Sequence, residues 1–365
     1  MRPVRDHGPR AETAESACHV RYGNGVPVRS ILVRIAVTGS IATDHLMSFD
    51  GHFAENLVTG QDTKISVSFL VTDLRVRRGG VAANIAFGLA GLGLRPLLVG
   101  AVGPDFDEYR IWLETAGVDC SGVLVDENQH TARFMCTTDR DEAQIASFYA
   151  GAMTTAREIA LAPLLAEGVD LVLVSPNDPE AMIRHTRECL ALGVPFAADP
   201  SQQLAWSDGE RVRELVDGAR FLFSNDYEAE LIRRKTGWTD ADVLARVGVR
   251  VTTHGADGVV IDSADGTRIT VPVVPARQVA DPTGVGDAFR SGFLSGLSWG
   301  LDLATCAQVG STLATQVIET VGCQDYTVDP EGFLARLGAT YGDEAAALVR
   351  PHLVAVAGVV ASHRG

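Results

Sequence analysis

From Ile35 onward, short apolar runs alternate with longer amphipathic stretches. The runs Ile35–Thr38, Pro96–Gly100, Leu171–Val174, Pro195–Ala198, Phe221–Phe223 and Val249–Thr252 predict strands. Segments such as Ala83–Leu92, Glu180–Leu192 and Glu210–Val216 predict helices between them. That alternation argues for βαβ units and an α/β fold, with a doubly wound, mostly parallel sheet flanked by helices. Leu171-Val-Leu-Val174 lacks in–out alternation, as a strand covered on both faces does.

Two stretches break the rhythm. Residues 46–78 are polar and turn-rich, then alternate through Ile65-Ser-Val-Ser-Phe69. Residues 131–149 read as a hairpin, with strands Ala132–Thr138 and Ala143–Tyr149 around the charged turn Asp139-Arg-Asp-Glu142. Both suit strands exposed on one face, so they are expected to form one small β lid built from insertions at about 46–78 and 123–150. Residues 1–32 scatter Arg, Glu, Gly and Pro without periodicity or an apolar signal core, and are expected to be a disordered extension. The main domain is placed at 33–345, followed by a C-terminal helix or tail at 346–365.

Composition narrows the function classes. Of 365 residues 46% are apolar, enough for one large core and a small accessory unit. The formal charge is −15, a field that repels nucleic acid and anionic membrane, so neither is expected as a partner. The six cysteines are dispersed, the closest pair being Cys120 and Cys136, which lacks the tight spacing of a zinc site. No apolar stretch is long enough to span a bilayer, and a cytoplasmic location is expected.

The predicted strands end in polar clusters: Ser175-Pro-Asn177-Asp178, Asp199-Pro-Ser201-Gln202-Gln203, Ser224-Asn225-Asp226 and Thr252-Thr253-His254-Gly255. Polar turns and helix caps would explain any one of them. Four in succession point to a ligand site along the carboxyl edge of the sheet.

The strongest local signal is Asp281-Pro-Thr-Gly284-Val-Gly286-Asp287-Ala-Phe289, after the strand-like Ile269–Val274 and at the start of a helix. Gly284 and Gly286, with the amide of Val285 between them, let successive N–H groups converge, and a helix N-terminus adds positive potential. Such an anion hole suits the charge that grows on a transferring phosphoryl group. Asp287 at its mouth could accept a hydroxyl proton as general base. An N-cap would explain the aspartate equally well if the loop stood alone.

Residues 281–293 resemble the C-terminal signature of the ribokinase/PfkB carbohydrate kinase family, with Val285 where Ala is usual. Arg78-Gly79-Gly80-Val-Ala-Ala-Asn84 resembles its glycine-pair motif, and Asn225-Asp-Tyr-Glu228 its Asn-x-x-Glu motif. The three motifs stand in family order within about 35–341. The resemblance implies ATP across the carboxyl edge near Asn225, Thr253 and Gly255, with Mg²⁺ near Glu228, held indirectly. It also implies a lid that closes over the acceptor, and allows stimulation by K⁺.

Within the family, the strings Val37-Thr-Gly-Ser-Ile-Ala-Thr-Asp44, His130-Thr-Ala-Arg-Phe134, Gln144-Ile-Ala-Ser-Phe-Tyr149 and Asp199-Pro-Ser-Gln-Gln203 are most similar to bacterial adenosine kinases of the actinobacterial kind. That resemblance implies adenosine as acceptor, contacted by Ser40, Asp44, Ser68, Gly80, Asn84 and Gln203, with Phe134 and Phe148 as the base platform. Two flat rings suit a purine, which gains from aromatic stacking, better than a bare sugar. Ribose, another sugar or another nucleoside stays open as acceptor, as does a non-catalytic nucleotide- or sugar-binding regulator. A homodimer through the one-sided lid is a further expectation.

Overall fold

The computed structural model describes the backbone of residues 20–22, 26–28, 34–56, 68–166 and 168–362, and side chains over 34–56, 68–166 and 168–353. In chain order the strands are β1 (Val20–Tyr22), β2 (Val26–Val28), β3 (Ile35–Thr38), β4 (Ala42–Ser48), β5 (Asp73–Gly79), β6 (Leu97–Val102), β7 (Asp119–Val125) and β8 (Ala132–Thr138). They continue with β9 (Gln144–Tyr149), β10 (Leu171–Val174), β11 (Phe196–Ala198), β12 (Phe221–Asn225), β13 (Val249–Thr253), β14 (Val259–Ser263) and β15 (Arg268–Val271).

Nine strands form the main sheet in the order β15-β14-β13-β12-β11-β10-β3-β6-β7. Pairing is parallel from β13 to β7, and β14 and β15 add an antiparallel edge. The strands supply two cores at once. Ile35, Val37, Leu171 and Leu173 pack on one face among helices that include Val81–Gly91, Val285–Ser298 and Leu303–Ile318. Ala36, Val172 and Val174 pack on the other, against Pro179–Leu192, Gly209–Val216 and Asp226–Thr236. Coverage on both faces is why these runs carry no polar alternation. The fold is therefore the expected helix-flanked, mostly parallel α/β sheet with a smaller sheet beside it.

The order of strand addition reverses at β3, whose parallel neighbours are β6 on one side and β10 on the other. Such a switch point leaves a crevice beyond the carboxyl ends of the strands. Ser40 and Pro176 line it, bonded through the Ser40 N–H and the Pro176 carbonyl at 2.8 Å.

The small sheet runs β5-β4-β8-β9, with β4 parallel to β8 and antiparallel pairs outside. It begins at Ala42, just past the end of β3, so it rises directly from the crevice. Most of the alternating stretch Ile65–Phe69 cannot be placed on this sheet. Residues 65–67 lie outside the described residues, and Ser68 and Phe69 are coil. Phe69 instead joins a ring cluster with Phe49 and Phe53, at 4.9 and 5.2 Å between centroids. The edge is β5, whose Asp73, Arg75, Arg77 and Arg78 place charge along an exposed ladder.

The expected extension over 1–32 lies outside the described residues apart from β1 and β2, which pair antiparallel. A helix, Asp343–Ser362, covers the expected C-terminal segment. No helix among the described residues is long and apolar enough to cross a membrane.

Candidate functional site

The helix Val285–Ser298 starts at Gly284, which has φ 75°; a Cβ there would lie 2.8 Å from Cys323 Sγ. Left-handed backbone and a wall of sulfur together require glycine at this position. No side chain caps the helix; the Val285 N–H makes a long 3.5 Å bond to the Pro282 carbonyl, and the N–H groups of Gly286 and Asp287 behind it are left for an anion. Asp287 sits in that first turn but does not cap it. Its Oδ2 accepts from Asn84 Nδ2 at 2.9 Å, which ties the glycine-pair motif to the glycine loop.

Asp287 is half-buried as a residue, yet dense protein around its carboxyl desolvates it and pushes it up to about 7. The Asn84 bond and the Arg290 charge pull the other way, while Asp199 and Asp44 add to the rise. A carboxylate that titrates near neutrality is poised to take a proton from a hydroxyl and release it again.

Beneath the loop lies a buried ion pair that no sequence motif announced. Arg290 Nη2 donates to Asp199 Oδ1 at 2.6 Å, and Nη1 donates to the Gly286 carbonyl at 3.1 Å. Burial pushes Asp199 up to about 6 even against the Arg290 charge. The pair fixes the glycine loop on the end of β11 and puts positive charge under the anion hole. A partial clue did exist: Arg290 is the one basic residue of the helix Val285–Ser298, three positions past Asp287.

On the small sheet, register does the positioning. Asp44 pairs with Arg77 on β5 and with Phe134 on β8, and Phe134 pairs with Phe148 on β9. Directly paired residues share a face, so Arg77, Asp44, Phe134 and Phe148 form one row across four strands. Phe148 is 51% exposed and Phe134 half-buried, leaving apolar ring surface beside a carboxylate. Burial raises Asp44 to about 6, Asp281 adds to the rise and Arg77 opposes it. Arg77 also donates to the Val321 carbonyl at 2.7 Å, joining the small sheet to the main domain.

At the root of this row stand Ser40 and Gly80. Gly80 has φ 91°, and a Cβ would meet Ala42 N and Ser40 O at 2.6 Å, so backbone approaches backbone. Ser40 Oγ accepts the Val81 N–H at 3.0 Å and starts the helix that carries Asn84.

The remaining candidates line neighbouring strand ends. Gln203 follows β11 and donates to the Asn177 carbonyl at 2.9 Å. Asn225 on β12 is the register partner of Thr253 on β13, and Gly255 opens the turn beyond. Asn225-x-x-Glu228 is a reciprocal capping box, both backbone bonds being 2.8 Å. Glu228 is buried, and its other oxygen accepts from Ser201 at 3.1 Å. Among the described residues no three His, Cys, Asp or Glu side chains converge on a metal site. Hard oxygen donors that are already engaged fit a hydrated divalent cation held through water better than direct ligation.

The structure thus brings Asp287, Gly284, Val285, Gly286, Asn84, Gly80 and Ser40 together. Asp44, Phe134 and Phe148 stand on the adjoining sheet face. Asn225, Glu228, Thr253, Gly255 and Gln203 lie along the same carboxyl edge. Ser68 is exposed in coil ahead of β5, and no hydrogen bond among the described residues joins it, Thr253 or Gly255 to the Asp287 cluster. Sequence reasoning assigned no role to Arg290, Arg77, Tyr109 or Gln324, whose bonds to Asp199, Val321, Gly79 and Asn84 span 30 to 244 positions of chain.

Residues 47–329 match the pfkB family of carbohydrate kinases. The nucleoside kinase of Methanocaldococcus jannaschii is 32% identical over 261 residues, spanning 71% of this chain and 85% of that protein. The nucleoside kinase of Methanothermobacter thermautotrophicus is 32% identical over 300 residues, spanning 80% of this chain and 96% of that protein. Among solved structures, a Burkholderia thailandensis nucleoside kinase in complex with inosine superposes with a TM-score of 0.74 at 35% identity, covering 84% of this chain and 98% of that one.

Proposed function

Because the chain belongs to the pfkB family of carbohydrate kinases, we propose that it transfers the terminal phosphate of ATP to the 5′-hydroxyl of adenosine, giving AMP. The observation that carries this reading is the Asp287 carboxyl in the first turn of an uncapped glycine-loop helix, bonded to Asn84 and close enough to Asp44 of the Asp44–Phe134–Phe148 row to feel its charge. In the transfer, the acceptor oxygen forms its bond to phosphorus as the bond to ADP breaks. The hydroxyl proton passes to Asp287, and the loop amides hold the charge on the phosphoryl oxygens.

Asp44 would accept from the two vicinal ribose hydroxyls, one per carboxylate oxygen. Ser40, Gly80, Asn84 and Gln203 complete the sugar side, Ser68 lies within the small-sheet segment, and Phe134 and Phe148 stack on the base. Asn225, Thr253 and Gly255 would line the ATP site. Mg²⁺ would neutralise phosphate charge, and Glu228 and Asn225 would orient its water shell. The inosine complex of the Burkholderia relative supports a purine nucleoside over ribose.

A coupled assay of ADP release across adenosine, inosine, guanosine, cytidine and ribose tests the acceptor. Adenosine should give the highest kcat/KM; a tenfold preference for ribose or another base would displace it. Exchanging K⁺ for Na⁺ in that assay reads cation stimulation. Exposed Leu74, Val76, Ile145 and Tyr149 share the outward face of the small sheet and support a homodimer there, to be read by light scattering. Cys120, Cys136, Cys189, Cys306 and Cys323 are buried free thiols, which supports a reducing, cytoplasmic setting.

A further inference from the structure

Behind Asp287 runs a buried chain of polar side chains that the reading above leaves unused. Trp112 Nε1 donates to Gln324 Oε1 at 3.1 Å. Gln324 Nε2 donates to Asn84 Oδ1 at 2.9 Å and also to Tyr109 Oη. Tyr109 Oη donates to the Gly79 carbonyl at 2.9 Å, and Asn84 Nδ2 donates to Asp287 at 2.9 Å. Asn84, Tyr109 and Gln324 are all buried, so water cannot stand in for a lost partner.

The two ends of the chain dictate its direction. An indole N–H can only donate, and a carbonyl can only accept. Gln324 must therefore turn its oxygen to Trp112 and its NH₂ to Asn84 and Tyr109. Asn84, receiving that bond on its oxygen, has only its NH₂ left for Asp287. The opposite orientation would place an amide oxygen against the carboxylate.

We propose that Gln324 is a positioning residue for phosphoryl transfer: it locks the Asn84 amide so that Asp287 meets a donor on one oxygen and keeps the other for the acceptor proton. The inference rests on Asp287 being the base. Other groups facing Asp287 are Asp44 from the small sheet, Asp199 and Arg290 from below, and Cys323 and Tyr326 from the segment beyond the Leu303–Ile318 helix. Because these acids titrate together, the informative quantity is the difference between variant and wild type, not one absolute value.

The test is the pH profile of kcat/KM for Gln324→Glu and Gln324→Met. An ionised glutamate can only accept: it keeps the Trp112 donor but opposes the oxygens of Tyr109 and Asn84, so Asn84 must reverse and present its oxygen to Asp287. The acid limb should then move up by about one to two pH units, the scale of one hydrogen bond to an ionised group. Gln324→Met removes the lock without adding charge and should move the limb the same way by a smaller amount. Trp112→Phe keeps an aromatic ring against Phe87 (5.8 Å between centroids in the native chain) and deletes the indole donor, so it should move the limb up as Gln324→Met does and decides the matter if the Gln324 variants do not fold. A limb that stays put in Gln324→Met, whether or not it moves in Gln324→Glu, overturns the proposal. So does a uniform loss of rate at every pH with lowered Tm. A wild-type protein that phosphorylates none of the acceptors defeats the functional reading instead, which keeps the two failures apart.

Discussion

Replacing Asp287 by asparagine separates chemistry from binding and from stability in one protein. The side chain keeps its shape, and the amide oxygen of the Asp287→Asn variant can still accept from Asn84 Nδ2, as Oδ2 does at 2.9 Å in the native chain. What disappears is the proton acceptor. Turnover should fall at least about 100-fold while nucleoside affinity stays within a few-fold.

The same substitution should stabilise the fold above neutral pH. The native carboxyl rises from 3.8 to about 7, chiefly through desolvation, so the folded chain holds a proton that the unfolded chain has released between those values. Stability from this group is intact below the lower value and is lost as pH rises through the upper one. The gap between the two corresponds to at most about 4 kcal/mol, and partial solvent access reduces that to about 1–3 kcal/mol. Scanning calorimetry should therefore show the variant gaining roughly 1–4 °C in Tm over wild type at pH 8.5, with the gain shrinking at pH 5.5. Near-normal turnover would remove Asp287 as the base. A variant less stable than wild type at pH 8.5 would show that desolvation does not dominate at the native carboxylate.

Three further outcomes follow from the same geometry. Phe148→Ala should raise KM for adenosine by roughly 5- to 150-fold, the scale of one lost stacking contact, and leave any ribose turnover nearly unchanged; equal losses on both would reassign the ring to lid packing. Gly80→Ala forces a Cβ to 2.6 Å from Ala42 N and Ser40 O at positive φ, and should cost about 2–4 kcal/mol in urea unfolding, with an unchanged urea midpoint refuting the close approach. Arg290→Met leaves Asp199 buried without its counter-charge and should cost about 3–5 kcal/mol, much of it recovered in the double variant with Asp199→Asn; additive losses would mean the two do not act as a pair.

The amino-acid sequence by itself determined the alternation of strands and helices, because a strand buried on both faces cannot carry polar residues at Leu171–Val174 or Ile35–Val37. It also determined the glycine loop, since the backbone at Gly284 and the close approach at Gly80 exclude side chains wherever they occur. Tertiary structure alone decided which polar groups meet. Register set Asp44 beside Phe134 and Phe148 from three separate strands, and helix packing carried Asn84 to Asp287 across 203 positions. Which partners Arg290 and Gln324 would meet left no local pattern, because hydrogen bonds and desolvation depend on distance in space rather than spacing along the chain.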